Sequence, residues 1–315
     1  MPDATAAARR HEKYDRLIAV ASKHPAMATA VVHPCDEVSL ESAVEAARLG
    51  LLRPILVGPP VRIRDVAARA SLDISAFELV EAKHSHDSAA KAVELVCAGR
   101  AEALMKGSLH TDELMGAVVS RDTGIRTARR ISHCFVMDVP GHPQALIISD
   151  AAVNIAPTLE EKVDIVQNAI DLARALGTAD VRVAILSAME TVNPRVPSTV
   201  EAAALCKMAD RGQITGGRLD GPLALDNAVS LAAARIKGIV SEVAGQADIL
   251  VVPDLESGNM LAKQLMYMGD AASAGIVLGA KVPVILTSRA DSRESRIASC
   301  AIALMLAHRY RSTPP

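Results

Sequence analysis

The sequence predicts an α/β fold with mainly parallel strands covered by helices on both faces. Three observations carry this. The strand-like runs are apolar throughout rather than alternating, they are separated by helical patterns, and several end in dense clusters of polar residues. Strands buried on both faces read as continuous apolar runs, and crossover helices are what bury them.

The elements follow in order along the chain. "TAVVHP" reads as the first strand, "SLESAVEAARLG" as the helix behind it, and "RPILVG" as the second strand. Further strands are expected at "EALMKG", "CFVMDV", "ALIISD", "VRVAILSA", "ADILVVP", "AGIVLG" and "VPVILTS". In "LEEKVDIVQNAIDLARALG", Val163, Val166, Ile170 and Ala173 recur every three or four positions. This spacing predicts an amphipathic helix with Glu161, Asp164, Asn168 and Asp171 facing outward and Gly177 as its stop. No internal repeat or Gly/Ser-rich linker marks a boundary. Pro140, Gly141 and Pro143 in "DVPGHPQ" are the punctuation expected at a break between domains.

Composition narrows the function classes. The chain has 315 residues, with 34 basic and 36 acidic side chains, a length suited to two domains of about 150 residues. A charge near zero lacks the basic face that nucleic-acid binding needs, and with no Trp, three Tyr and two Phe there is little to stack on bases. No apolar run reaches the ~18 residues of a membrane span, and the N-terminus lacks a secretory h-region. The five cysteines are scattered, with no CxxC pair, so reduced thiols in a cytoplasmic protein are expected. GxGxxG, GxxxxGK[ST] and GxSxG do not occur where dinucleotide, triphosphate or esterase chemistry would place them.

In open α/β sheets, ligands bind at the carboxyl ends of strands. Four such ends carry candidates. "KGSLHT" brings Lys106, Ser108, His110 and Thr111 to a helix start, and "DAAVN" brings Asp150 and Asn154. "PDLESGNMLAK" brings Ser257, Asn259 and Lys263, and "VILTSR" brings Ser288 and Arg289. Free N–H groups at helix starts, small hydroxyls and cations together make anion sites, the cations supplying the stronger, charge-assisted bonds. Each cluster also has a purely architectural reading. "LESGN" could be an N-cap and turn, Asp150 and Asn154 could cap "TLEEK", His110 could be a surface histidine, and Arg293, Glu294 and Arg296 could be the solvated face of the last helix. His84 and His86 in "KHSHDS" read as a surface turn rather than a metal site.

Larger blocks carry a resemblance. "GPLALDNAVS", "ADILVVPDLESGNMLAKQLMYMGDAASAGIVLGAKVPVILTSRADS", "DAAVNIAPTLEEK", "LMKGSLHTDELM" and "IRTARRISHCFVM" resemble the phosphate acetyl/butyryltransferase family across essentially the whole chain. "KGSLHT" and "SRADS" place the likeness nearer the butyryl-type branch. The resemblance implies the reaction acyl-CoA + phosphate ⇌ CoA + acyl phosphate, by direct transfer in a ternary complex, with coenzyme A as a substrate and no permanently bound cofactor or metal. It also implies two α/β/α domains of the isocitrate/isopropylmalate dehydrogenase type, a homodimer, and an active site in the interdomain cleft. The first domain would then comprise residues 1–143 plus 282–315, the second 144–281.

Within that reading, Ser288 and Arg289 are the expected catalytic pair, stabilising the oxyanion that develops at the acyl carbon. Lys106, Ser108 and Thr111 are expected to hold the phosphoryl oxygens. One departure stands out. The acetyl branch has a proposed catalytic aspartate seven residues beyond the serine of its "SR" pair, where this chain has Ser295. Serine is no base at neutral pH, so the base is left open among Glu294, Asp291, His110 and phosphate itself. Two other readings compete: a same-fold NAD(P)-dependent dehydrogenase, and a non-catalytic CoA- or acyl phosphate-binding protein that has lost its base.

Overall fold

The computed structural model describes residues 11–287 and 291–315. After helix α1 (Glu12–Ala21), strands and helices alternate: β1 (Met27–Val32), α2 (Glu37–Arg48), β2 (Leu52–Gly58), α3 (Pro60–Arg69), β3 (Glu78–Glu81), α4 (Ser85–Cys97), β4 (Ala103–Lys106) and α5 (Thr111–Val118). Then come β5 (Ser132–Asp138), β6 (Leu146–Ser149), α6 (Leu159–Ala175), β7 (Val181–Leu186), α7 (Pro197–Asp210) and β8 (Gly217–Leu223). Short helices α8 (Leu225–Val229) and α9 (Leu231–Ile236) lead to β9 (Ile249–Val251), α10 (Leu255–Met268), β10 (Ala272–Leu278), β11 (Val284–Ile285) and the closing helix α11 (Arg293–Ser312).

The chain packs as two units. The terminal unit holds Tyr14–Arg129 and Ala274–Pro315; the central unit holds Arg130–Ser273 together with residues 11–13. Besides the change after Lys13, the units change at 129/130 and 273/274, where the sequence reading has its divisions at 143/144 and 281/282.

In the terminal unit the strand order is β3-β2-β1-β4-β11-β10, parallel except for the β11–β10 pair. All six residues of β1 are buried, as expected of a central strand covered on both faces. Helix α11 is buried continuously from Ile297 to Ala307, so it reads as a core helix rather than an amphipathic one. Its first turn is capped by Ser292, whose Oγ accepts from the Ser295 backbone N–H at 3.1 Å. Arg296 is not simply a solvated side chain: its Nε donates to Ser42 Oγ at 2.7 Å. Arg293 does lie outward and pairs with Glu45.

In the central unit the order is β5-β6-β9-β7-β8, with only β5–β6 antiparallel. Helix α6 forms where the periodicity predicts it, opened by Thr158 and Glu161 in a capping box. One outward assignment is corrected. Asn168 is buried, because its amide donates to Arg130 O at 2.9 Å and Ser132 Oγ at 2.8 Å. A polar residue with partners for its N–H groups can stand on a buried face, which periodicity alone does not show. Strand β8 was not expected from the sequence, since Gly217, Gly221 and Pro222 argue against a strand interior. It lies at the end of the strand order, where a proline's missing donor costs no ladder bond.

Candidate functional site: a cavity lined by cations and hydroxyls and a locked carboxylate loop

The terminal unit gathers the "KGSLHT" residues into one cavity. Strand β4 ends at Lys106, and Gly107 then passes hard against the end of β1. The Gly107 N–H donates to Val32 O at 2.9 Å and the Ser108 N–H to His33 O at 2.8 Å. His110 precedes α5, its backbone N–H donating to the Glu113 carboxylate at 2.8 Å. The result is a cavity of about 570 Å³ lined by His33, Arg62, Ser85, Lys106, Ser108, Leu109, His110, Thr111, Glu113, Leu286 and Thr287.

Its chemistry is that of an anion receptor. Arg62 and Lys106 bring positive charge, Ser85, Ser108, Thr111 and Thr287 bring hydroxyls, and the first turn of α5 opens onto it. Among the described residues, the one carboxylate in the lining, Glu113, is already engaged. It accepts from Ser85 Oγ at 2.7 Å and from the His110 N–H, and it faces His86 Nε2 at 3.2 Å. The Ser85 and His110 hydrogen bonds, in that order, hold its pKa below the usual carboxylate range. The four predicted residues of this stretch thus line one cavity. Lys106 and Ser108 are half-buried, His110 and Thr111 exposed. His33 and Arg62 were not singled out from the sequence; the signal for His33 was a polar residue ending an apolar strand, "AVVHP".

In the central unit, Asp150 is buried at the end of β6 and organises the loop after it. Its carboxylate accepts from the backbone N–H groups of Ala152 (2.9 Å), Val153 (3.0 Å) and Asn154 (3.2 Å), and from Asn154 Nδ2 at 2.6 Å. Asn154 also donates to Ile131 O at 2.9 Å, while its Oδ1 accepts from Arg130 Nε at 2.8 Å. Capping of α6 falls to Thr158, not to these two residues. The loop therefore presents Arg130, which in turn pairs with Glu161 at 2.8 Å.

Farther along, Asp254 is the N-cap of α10. Ser257 Oγ donates to its side chain at 2.8 Å, and the Ser257 N–H donates to the same oxygen at 2.8 Å. Asn259 Nδ2 reaches Ala151 O at 3.2 Å, and Lys263 is exposed on the same helix. Gly258 allows this approach, since a Cβ there would meet Val252 Cγ2 at 2.6 Å. Ser288 and Arg289, the expected catalytic pair, lie outside the described residues.

Among the described residues, no group of three or more His, Cys, Asp or Glu side chains could hold a metal ion, and no helix is long and apolar enough to cross a membrane. His84 instead precedes α4, its Nδ1 accepting from the Asp87 N–H at 3.2 Å.

Comparison with known proteins gives these features a family. The chain is 63% identical over 300 residues to a phosphate acetyltransferase of Rhizobium meliloti, spanning 95% of each chain. It is 43% identical over 272 residues to a phosphate butyryltransferase of Clostridium acetobutylicum, 86% of this chain and 90% of that one. A branched-chain phosphotransacylase from Enterococcus faecalis V583 superimposes with a TM-score of 0.78 at 31% identity, covering 90% of this chain and 99% of the other. The family model described as phosphate acetyl/butaryl transferase matches residues 81–304. That span runs from the end of β3 through the "KGSLHT" cavity and the Asp150 loop into α11, and on these grounds the chain belongs to the phosphate acetyl/butaryl transferase family.

Proposed function

We propose that this protein interconverts short-chain acyl-CoA plus phosphate with acyl phosphate plus CoA. The observation that carries the reading is the cavity at the carboxyl ends of β1 and β4, whose cations and hydroxyls suit a phosphoryl group, in a chain so similar to phosphate acyltransferases. Lys106, Ser108 and Thr111 hold phosphoryl oxygens, with Arg62 adding positive charge and His110 bordering the site. Arg supplies a fork of N–H donors and Lys a point charge, and both bind phosphate more strongly than neutral donors do.

In the synthetic direction for acyl-CoA, the CoA thiol loses its proton and its sulfur attacks the carbonyl carbon of the acyl phosphate. The C–O bond to phosphate then breaks. A thiol of pKa about 8.5 is mostly protonated at neutral pH, so a base is needed. The resemblance assigns the developing oxyanion to Ser288 and Arg289. Asp150 and Asn154 shape the loop that presents Arg130, and Ser257 and Asn259 at the start of α10, with Lys263 farther along it, bring further polar groups for CoA or its acyl group. CoA enters as a substrate, and the reading needs no resident cofactor. The resemblance supports a homodimer in the cytoplasm, and the near-zero net charge supports small-molecule partners rather than nucleic acid or membrane.

The test is a thiol-release assay with the purified protein, acetyl-, propionyl- and butyryl-CoA, and phosphate present or absent. Relatives named for acetyl and for butyryl transfer make those two chain lengths the informative comparison. Phosphate-dependent release with at least one of them is expected. Release that ignores phosphate, or none at all, would overturn the reading.

A further inference from the structure

We propose that His33 is the general base of this reaction, its Nε2 taking the thiol proton inside the cavity that holds Lys106, Ser108 and Thr111. The inference rests on the acyl-transfer reading above and supplies what the resemblance leaves open, since Ser295 is buried in the first turn of α11 beside Ser292 and cannot act as a base.

The backbone fixes where His33 points. It follows β1 directly, with φ of +55°, the left-handed region that side-chain-bearing residues seldom adopt. Hydrogen bonds on both sides hold it there: its N–H donates to Val57 O at 2.7 Å, and its carbonyl accepts from the N–H groups of Cys35 and Ser108, each at 2.8 Å. Residues kept in such conformations by their surroundings cluster at functional sites.

The side chain is buried, only 4% exposed, and lines the cavity. Its Nδ1 lies 3.0 Å from Ser88 Oγ. The Ser88 hydroxyl has one proton, and that proton is directed at His84 O, 2.9 Å away. With that proton on His84 O, Ser88 accepts from His33, the arrangement that puts the imidazole proton on Nδ1 and leaves Nε2 with its lone pair. Among the described residues, the contact with Ser88 is the hydrogen bond that the ring makes. The protonation state agrees. Burial first, then the positive charge of Arg62, lower the His33 pKa, and Glu113 opposes them, leaving a neutral ring at pH 7.

Of the other lining groups, His110 is the second imidazole, exposed before α5 where His33 is buried, and the rest are poorer bases. Lys106 and Arg62 are cations without a lone pair when charged, Ser108 and Thr111 are hydroxyls, and Glu113 is occupied by its donors. The step balances without a co-reactant. The S–H bond breaks and its proton goes to Nε2, sulfur bonds to the acyl carbon, and the C–O bond to phosphate breaks. The imidazolium then returns its proton to the departing phosphate. In the reverse direction His33 takes a proton from phosphate and gives it to the thiolate.

The experiment is His33→Asn, because Asn tolerates the left-handed backbone, assayed with acyl phosphate and CoA at pH 7 and pH 9 beside the unaltered protein. A loss of roughly 10²- to 10⁴-fold is expected at pH 7, the usual range for removing a general base. It should shrink about tenfold or more at pH 9, where a thiol of pKa about 8.5 ionises unaided. Near-normal turnover at pH 7, or an equal loss at both pH values, would overturn the assignment. Should the Asn variant not fold, Ser88→Ala keeps the imidazole but releases its tautomer. Turnover about tenfold lower is then expected, again recovering at high pH, and unchanged turnover counts against the proposal. Phosphate-dependent thiol release by the unaltered protein separates the two levels: its absence removes the acyl-transfer reading itself, whereas its presence with an indifferent His33→Asn variant removes only the base.

Discussion

A Cβ placed on Gly107 would lie 2.4 Å from the carbonyl oxygen of Val32, closer than any real side chain tolerates. The two residues sit at neighbouring strand ends, and the Gly107 N–H bonds that same oxygen at 2.9 Å. Close passage of the chain is what brings Lys106 and Ser108 into one cavity with His33. Gly107→Ala must push β4 away from β1, and we expect it to cost about 1–3 kcal/mol, as overpacking does. Denaturant unfolding measures the cost. Acyl transfer should fall as well, and an Ala variant of normal stability and turnover would show that the close approach is dispensable.

Asn154 satisfies three partners at once: Ile131 O, the Asp150 carboxylate and Arg130 Nε. Asn154→Ala removes them all at a site only 3% exposed. Leaving buried polar groups unmatched costs about 1–3 kcal/mol. A midpoint shift in urea of that size, with an unchanged denaturant slope, is the expected outcome.

The buried ring of His133 makes stability depend on acid. Its Nδ1 has no hydrogen-bond partner among the described residues. Burial drives its pKa down to about 4, with the Asp150 charge pulling the other way. The unfolded chain, with an ordinary histidine near 6.5, binds the proton more readily, so stability should fall as pH drops from about 6.5 through 4. His133→Gln should flatten that dependence in thermal melts between pH 7 and pH 4. An identical slope in the variant would locate the acid sensitivity elsewhere, His33 being another buried ring with a lowered pKa among the described residues.

Two substitutions separate phosphate holding from transition-state stabilisation. Lys106→Ala should raise the KM for phosphate about 10- to 100-fold, the equivalent of one charge-assisted hydrogen bond. Arg289→Ala should instead lower turnover by roughly 10²-fold or more, as expected for a lost oxyanion donor. Steady-state kinetics in the phosphate-dependent direction distinguish them, and a shared pattern of raised KM would argue that Arg289 also serves only to bind.

Much of this molecule was legible in one dimension. Apolar strands such as "AVVHP" and "ALIISD" predict a covered, mainly parallel sheet because a strand buried on both faces has no solvent side to mark with polar residues. "KGSLHT" at a strand end predicts polar residues gathered around a helix start, and Lys106, Ser108, His110 and Thr111 do line one cavity. What periodicity could not show was where buried polar groups find theirs. Asn168 breaks the expected helix face because Arg130 O and Ser132 Oγ await it, and β8 forms despite its glycines and proline because it ends the strand order. The protonation of His33 belongs to the tertiary structure too. It is set by Ser88, 55 positions along the chain, and by Arg62, and contacts between distant residues have no period for a sequence to display.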